Sequence, residues 1–568
     1  MSRNIYGVND KSMVQFQVIH RGYQMRSGDD ALRLGIDLGT GSLKLIAYCG
    51  GRSFSTSRRY EILSPQSGVA ETDPEAWIAA LRSAWAEVRG QILQAQLPPD
   101  VASIGLSGQM HGFVPVSKSG KVLHNAILWA DVRGAEYAQM YSRLLEGSFD
   151  RLLNAPAAGL TALILLWMKH RKPDLYSDTG FILFPKDYLR YRLTGEIATD
   201  AGDASASLLW DFKAHSWSRY ALEALGLDGS KLPPLLDSFS VGGFVTAEAA
   251  RETGLPAKVP VAVGSADKSC EIYGSGFFRE YFERRGSGLT APGLTALGSV
   301  ASGSAAPDVA APGLGPSPTP HAPAPGPAPD SDWKQPHVAQ VSIGTGIQVV
   351  VPVRGVPPYS PSLNFFETCA AGLGYRMAAM LNGGLALEWV LSAFNGNWEA
   401  IYRDLEEGKT RLPQDLIFLP YLTGERSPYQ NPKARGAWIG LGLHHTKNDM
   451  LASALLGVAC TIRLGIETLE IAPGAAIYCV GGSTRYRPWM NIVSAMTGRR
   501  LLVSPDPDAS VRGAAAIGAA APGGHTTDDM PAPLETSPVE SEQPEWMNEY
   551  YARFREYYAA LFGPAPPR

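Results

Sequence analysis

The chain is short of cysteine, of net charge and of long apolar runs, and each shortage narrows what it can be. Five cysteines, Cys49, Cys270, Cys369, Cys460 and Cys479, stand far apart with no CxxC pair. That spacing suits neither a disulfide framework nor a zinc site, and it fits reduced thiols in a cytoplasmic setting. The 50 Lys and Arg residues nearly balance 54 Asp and Glu, and the formal charge of −4 offers no overall attraction for nucleic acid. No uninterrupted apolar run approaches the roughly 20 residues of a membrane span. The opening MSRNIYGVNDKSMVQFQ likewise lacks the apolar core of a secretory signal.

What remains is an ordinary globular composition, 45% hydrophobic and 18% charged, on a chain of 568 residues. That length exceeds what one hydrophobic core organises, so at least two domains are expected. Patterned sequence begins at LRLGID (32–37) and resumes with LKLIAYC (43–49) after the turn LGTGS, which reads as a hairpin. In DPEAWIAALRSAWAEVRGQIL, Asp73 is placed to cap a helix and Pro74 to fill its first turn. Trp77, Leu81, Trp85, Val88 and Ile92 recur at near-helical spacing. The strands VASIGLS and GFVPVS follow. This alternation indicates an α/β architecture with a mixed sheet.

After about Arg285 the sequence turns to Gly, Ala, Pro and Ser until patterning returns at VAQVSIGTGIQVVVPV (338–353). Too few large apolar residues are present there to bury, so disorder is expected. The reading is therefore an extension over 1–30, a first domain over 31–278, an insertion over 279–337 and a second domain over 338–521. Residues 522–543 read as flexible, and WMNEYYARFREYYAALF as a terminal docking helix. Both domains open with an apolar run, a GTG turn and another apolar run, which hints at duplication.

Chemistry concentrates at the turns. DLGTGS holds Asp37, Gly39, Thr40, Gly41 and Ser42, with Lys44 beyond; such a turn can offer backbone N–H groups and hydroxyls to phosphate and a carboxylate to Mg²⁺, or be a plain hairpin turn with an Asx bond. It is neither GxxxxGK[ST] nor a GxGxxG opening a helix. Gly344 and Thr345 form a second such turn. Gly481, Gly482 and Ser483 follow a strand and precede a helix, where a nucleotide's base or sugar can approach the backbone or the helix can simply pack close. Met110 and His111 in SGQMHGF follow a strand, where α/β folds present ligand residues. Asp131 and Arg133 read as an ion pair, and Asp200 and Asp203 as caps or turns. Asp267, after PVAVGSA, is either a functional carboxylate at a strand end or a turn residue.

In this order, LGIDLGTGSLK, LSGQMHG, LWADVR, FPKDYLRYRLTGEIATDAGDAS, the Asp267 segment, SIGTG, FLPYLTGERSPYQNPKARGAWIGL and VGGSTRYRPW resemble the FGGY carbohydrate kinases, most closely their xylulose kinases. The resemblance implies two ribonuclease H-like domains of the actin and hexokinase superfamily, with sugar and ATP meeting in the cleft between them. It further implies a cytoplasmic ATP- and Mg²⁺-dependent ketose kinase whose closure excludes water. Asp267 would be the general base, taking the proton from a hydroxyl, O5 in xylulose. With an ordinary pKa near ~4 it would be ionised at neutral pH and a weak base for an alcohol. Asp37 would position Mg²⁺. Thr40, Gly41, Ser42, Lys44, Gly344 and Thr345 would serve the phosphates, and Gly481, Gly482 and Ser483 the adenosine side. Met110, His111 and the residue after Asp267 would contact the sugar.

The departures surround Asp267. Where xylulose kinases typically read GGGDNAAG this chain reads GSADKSCE. Ser265 and Ala266 would restrict a backbone that needs positive φ. Lys268 replaces the usual sugar-binding Asn and cannot accept a hydrogen bond; it pairs with Asp267, meets a phosphate or accompanies a different sugar. A weakened relative that binds sugar or nucleotide as a regulator, or a kinase for another ketose or polyol, is the alternative. Partners are small molecules, without nucleic acid or membrane, and a homodimer is left open.

Overall fold

A computed structural model describes residues 31–49, 51–284, 334–504, 506, 508–523, 530–531 and 533–563. The expected N-terminal extension and most of the Gly/Ala/Pro insertion lie outside the described residues.

In the first half, Leu32–Leu38 (β1) and Ser42–Cys49 (β2) form the expected hairpin, and Arg52–Arg59 (β3) extends it. Helix Pro74–Gln94 (α1) starts where the Asp73 carboxylate accepts from the Glu75 N–H, and it buries Trp77, Leu81, Trp85, Val88 and Ile92. Val101–Gly108 (β4) runs parallel to β1. After Pro185–Thr194 (α2) and Ala201–Ser205 (α3), strands Val241–Phe244 (β5) and Pro260–Ala262 (β6) complete the path β5-β6-β4-β1-β2-β3. Ser265–Ala266 (β7) pairs with the end of β4 and leads into Asp267–Gly274 (α4), then Phe277–Arg284 (α5).

The second half repeats the plan. Val338–Ile343 (β8) and Ile347–Arg354 (β9) form a hairpin, extended by Leu373–Met380 (β11) with Asn364–Glu367 (β10) at the edge. Helices Gly384–Ala393 (α6) and Lys447–Thr468 (α7) precede Ala476–Val480 (β12), which is parallel to β8. Arg487–Thr497 (α8), Leu501–Val503 (β13), Ala509–Ala520 (α9) and Ser537–Val539 (β14) follow, giving the order β10-β11-β9-β8-β12-β13-β14. Each sheet joins a three-stranded antiparallel run through two parallel pairings to an antiparallel edge strand, and the second sheet adds β10, antiparallel, at its other edge. The shared GTG openings are thus part of a shared topology.

At the first boundary α5 runs on past 278, with Phe277, Phe278 and Tyr281 packed into a core shared by both halves. Within 522–543, β14 pairs with β13; Pro538 is accepted because this is the sheet's edge. The terminal helix Glu545–Phe562 (α10) docks as expected through Met547, Tyr550, Tyr551, Phe554 and Tyr558. Helix α7 is long and apolar enough to cross a membrane by composition, but its residues Leu451 to Ile466 lie mostly in the second core, which accounts for that composition.

Helix α9, from the second half of the sequence, lies directly on the first sheet. A Cβ on Gly35 would stand 2.2 Å from the Val511 carbonyl oxygen, and one on Gly105 1.7 Å from that of Ala514. On its other side Gly513 meets the Cys270 carbonyl of α4, again within 1.9 Å of where a Cβ would be. Backbone therefore packs on backbone, which fixes α4 and the N-terminus of α9 beside the ends of β1 and β4.

Candidate functional site

Strand register brings the acidic residues together. Asp37 is opposite Ser107 in the β1–β4 ladder, and Ser107 is opposite Ser265 in the β4–β7 pairing, so the three strands end level. Asp267 follows two residues later as the first residue of α4. It is a helix-start carboxylate, not a turn between strands, and it accepts the Lys268 N–H at 2.7 Å. Ser265 and Ala266 cause no strain, because the positive φ falls on Gly264 at 76°, packed against the Leu106 carbonyl.

Asp37 accepts Ser107 Oγ at 2.6 Å and Ser510 Oγ, from the first turn of α9, at 3.1 Å. Burial nevertheless raises its pKa against those hydroxyls and Lys44. Asp267 corrects the sequence expectation of an ordinary carboxylate. Burial, then the neighbouring Asp37 charge and Glu271, push it up to about 7, against the pull of Lys268. Two adjacent carboxyls that both resist ionisation form a site whose repulsion a cation would relieve.

Around them lie the three glycine turns. In the first, Gly39 N–H donates to the Ser42 carbonyl at 3.0 Å, and Thr40 Oγ1 accepts the Trp129 indole N–H at 2.8 Å. Lys44, expected at the phosphates, is ion-paired to Asp508, just before α9; that carboxylate raises its pKa although burial opposes. In the second turn the Gly344 and Thr345 carbonyls accept N–H groups of Gly384 (2.8 Å) and Leu385 (2.9 Å) at the start of α6, while both turn residues stay exposed. In the third, Gly481 has φ 109° and lies against Ile343, whose carbonyl oxygen a Cβ would meet at 2.6 Å. The second and third turns are therefore neighbours. Gly482 is open and Ser483 half-buried in the one-turn helix Gly482–Arg485.

In the SGQMHGF loop, Met110 Sδ receives the Tyr375 hydroxyl at 3.8 Å, and His111 holds φ at 73°. Burial and then the Arg426 charge push His111 down to about 3. The neutral ring faces the Ala206 carbonyl through Nδ1 at 2.9 Å, which assigns the proton to Nδ1 and leaves Nε2 an acceptor.

Lys268 does not pair with Asp267 through its side chain. Its ammonium reaches Glu271 Oε1 at 2.6 Å and Ser342 Oγ at 2.8 Å. The reason is helical: residues three apart share a face, whereas adjacent residues diverge, so the lysine pairs with Glu271 and not with Asp267.

Two groupings were not legible as such in the sequence. Lys186 of α2, fully buried, stands 2.7, 3.0 and 3.1 Å from carboxylate oxygens of Asp187, Asp200 and Asp203. Asp200 caps α3 as expected but also accepts Ser265 Oγ at 2.6 Å, so this cluster supports the segment before Asp267. Burial pushes Asp203 well up, since one ammonium and the Arg190 guanidinium cannot serve three carboxylates. Asp131 and Arg133 form the expected structural pair, the buried carboxylate also accepting the Ala70 N–H at 3.0 Å. A separate cluster, Asp415, His444 and His445, has metal-like proximity. Gly442 N–H donates to His445 Nδ1 at 2.9 Å, however, so the neutral ring carries its proton on the Nε2 that faces Asp415 and has no lone pair there for a metal.

Residues 32–274 match the N-terminal domain, and residues 339–521 the C-terminal domain, of the FGGY family of carbohydrate kinases. The chain belongs to this family. Among relatives of this FGGY kinase, the xylulose kinase of Lactococcus lactis is 30% identical over 77% of this chain and 76% of its own length. The xylulose kinase of Bacillus subtilis is 28% identical over 86% and 87%. A solved structure described as a xyloylose kinase from Brucella ovis superimposes with a TM-score of 0.75 at 26% identity, covering 93% of this chain and 99% of that one. A gluconate kinase structure from Lactobacillus acidophilus, 19% identical, shares the fold with a TM-score of 0.74 and covers 94% and 99% of the two chains. The FGGY kinase is accordingly an ATP-using sugar kinase with the two-domain actin- and hexokinase-like fold.

Proposed function

We propose that this kinase acts on a ketose, D-xylulose, transferring the γ-phosphoryl group of ATP to O5 with Asp267 as general base. The carrying observation is the Asp267 carboxyl, held at a helix start beside Asp37 and poised near neutrality. Xylulose kinases that align along most of the chain support the choice of sugar. A carboxylate poised near 7 is half ionised at neutral pH and a better proton acceptor than an ordinary one. It is still weak beside an alkoxide, so proton transfer trails bond formation, and most acceleration comes from alignment and charge stabilisation.

Each residue then has a task. His111 accepts a sugar hydroxyl through Nε2, and Met110 packs beside it. The exposed Gly344–Thr345 backbone and the Thr40–Ser42 turn hold phosphates, Lys44 lends charge nearby, and Gly481 to Ser483 admit the adenosine. Asp37 is the residue we assign to Mg²⁺, because its carboxyl is buried and close enough to Asp267 for its charge to raise that neighbour's pKa, a repulsion a cation would relieve. When bound, Mg²⁺ supplies neutralisation of phosphate charge. The free, buried thiols support a reducing, cytoplasmic setting.

The test is sugar-dependent ADP release across a panel of ketoses and polyols with MgATP, beside Asp267→Ala. D-Xylulose should give the highest kcat/KM, and Asp267→Ala should remove turnover. A panel with no active sugar would favour a binding regulator, preference for another polyol would reassign the substrate, and surviving turnover in Asp267→Ala would remove the base.

A further inference from the structure

Lys268 belongs to a polar network that crosses between the halves. Its ammonium and the Glu271 carboxylate, both on α4, meet Ser342 on β8. Glu271 Oε1 also accepts Gln340 Nε2 at 2.7 Å, and Gln340 Oε1 receives Ser275 Oγ at 2.8 Å. The lysine side chain is 7% exposed and the glutamate 21%. All of this sits above an apolar core drawn from both halves, including Cys270, Tyr273, Val338, Tyr375 and Ile517.

The two ends of the network have functional addresses. One end is α4, which begins with Asp267. The other is β8, where Ser342 stands two residues before the exposed Gly344–Thr345 turn. From this we infer that Lys268 is a positioning residue: through Glu271 and Ser342 it ties the helix carrying Asp267 to the strand carrying the phosphate turn, so that base and turn keep register. The inference rests on the reading of Asp267 as base and of 344–345 as phosphate turn. It also explains how the chain carries lysine at this place without the ammonium entering the sugar site: the charge is spent on a cross-domain bond.

Misplacing a reacting group by about 1 Å can cost on the order of 100-fold in rate. Loosening the tie should therefore lower kcat while leaving sugar affinity alone. The experiment measures kcat, KM for sugar and KM for ATP in Lys268→Met, Lys268→Asn, Lys268→Arg, Glu271→Gln, Ser342→Ala and the Lys268→Met/Glu271→Gln double variant. Expected are about tenfold or larger losses in kcat for Lys268→Met and Lys268→Asn, with sugar KM within about twofold, and partial recovery in Lys268→Arg. The double variant should be no worse than the poorer single, because the two groups act as one unit. Unchanged kcat per folded molecule, additive losses, or a several-fold change in sugar KM at constant kcat in Lys268→Asn would overturn it. Ser342→Ala removes one strut without stranding a charge, so it reads the same tie if the lysine variants do not fold. Asp267→Ala in parallel separates the two readings: turnover surviving there removes the base, whereas the Lys268 series tests the tie.

Discussion

Replacing Asp267 with asparagine should make the metal- and nucleotide-free protein more stable, and only above a defined pH. Folding carries the carboxyl from 3.8 to about 7, chiefly through burial and the charge of Asp37. At about 1.4 kcal/mol per pKa unit, that shift is on the order of 4 kcal/mol. The value is a ceiling, because the side chain keeps some opening to solvent. A folded-state pKa raised above the unfolded one means that the folded protein retains a proton which the unfolded chain releases. The associated stability is complete below the unfolded value of 3.8 and is lost as pH rises through about 7. Asp267→Asn keeps the size and loses the titration, so its stability should overtake the wild type progressively across that window and stay ahead above it. Denaturant midpoints with a chelator present, at several values between about pH 4 and 8, give the comparison, and other titrations largely cancel in the difference. Parallel pH dependences of the two proteins would refute the reasoning, as would a stability of Asp267→Asn that falls relative to the wild type on going from acid to neutral pH. Since the same substitution should abolish turnover, the site would then be one where stability is given up for a reactive carboxylate.

Three further outcomes probe the surroundings. Gly481→Ala places a Cβ 2.6 Å from the Ile343 carbonyl oxygen at φ 109°; it should cost about 1–3 kcal/mol and raise KM for ATP more than for sugar, read by thermal melts and initial rates. His111 is pushed down to about 3 by burial and Arg426, so His111→Gln should raise sugar KM about tenfold without adding or removing a limb in the pH–rate profile above about pH 5. Tyr558→Ala, which removes a ring stacked 3.5 Å from Tyr429 by centroids, should cost about 3 kcal/mol of stability with both KM values unchanged.

What was legible in the sequence was local. Periodicity placed α1 and its Asp73 cap, and the GTG hairpins showed themselves because glycine turns flanked by apolar runs are a short-range signal. Partners far apart in sequence were not legible. Ser510 reaches Asp37 across 473 positions, and Asp508 takes Lys44 across 464. Both contacts depend on α9 crossing to the first sheet, and the device that allows it, glycine facing backbone at 35, 105 and 513, looks like unremarkable small-residue composition until the helix is placed. The raised pKa of Asp267 is hidden for the same reason, because an ordinary value presumes a solvated carboxyl without a second acidic neighbour.

The lysine after Asp267 is a sequence departure that has to be read together with its neighbours. Beside the proposed base, an ammonium in place of an amide suggests pairing with Asp267, a phosphate contact or a different sugar. Helical geometry sets aside the first. Position 268 shares its face with 271, and there Glu271 is already held by Gln340 from the other half. An asparagine at 268 is too short to make the same bridge and carries no charge to offset that glutamate, so Lys268 and Glu271 are intelligible only as a pair. A chain carrying Glu271 and Gln340 without a cation at 268 would leave a largely buried carboxylate supported by neutral donors alone, at a cost that breaking such pairs typically places at about 3–5 kcal/mol when fully buried and less at the partial exposure seen here. Reverting Lys268→Asn alone should therefore weaken the protein, and reverting it together with Glu271→Gln should recover part of that loss in a thermal melt; no recovery would mean that the two residues are independent.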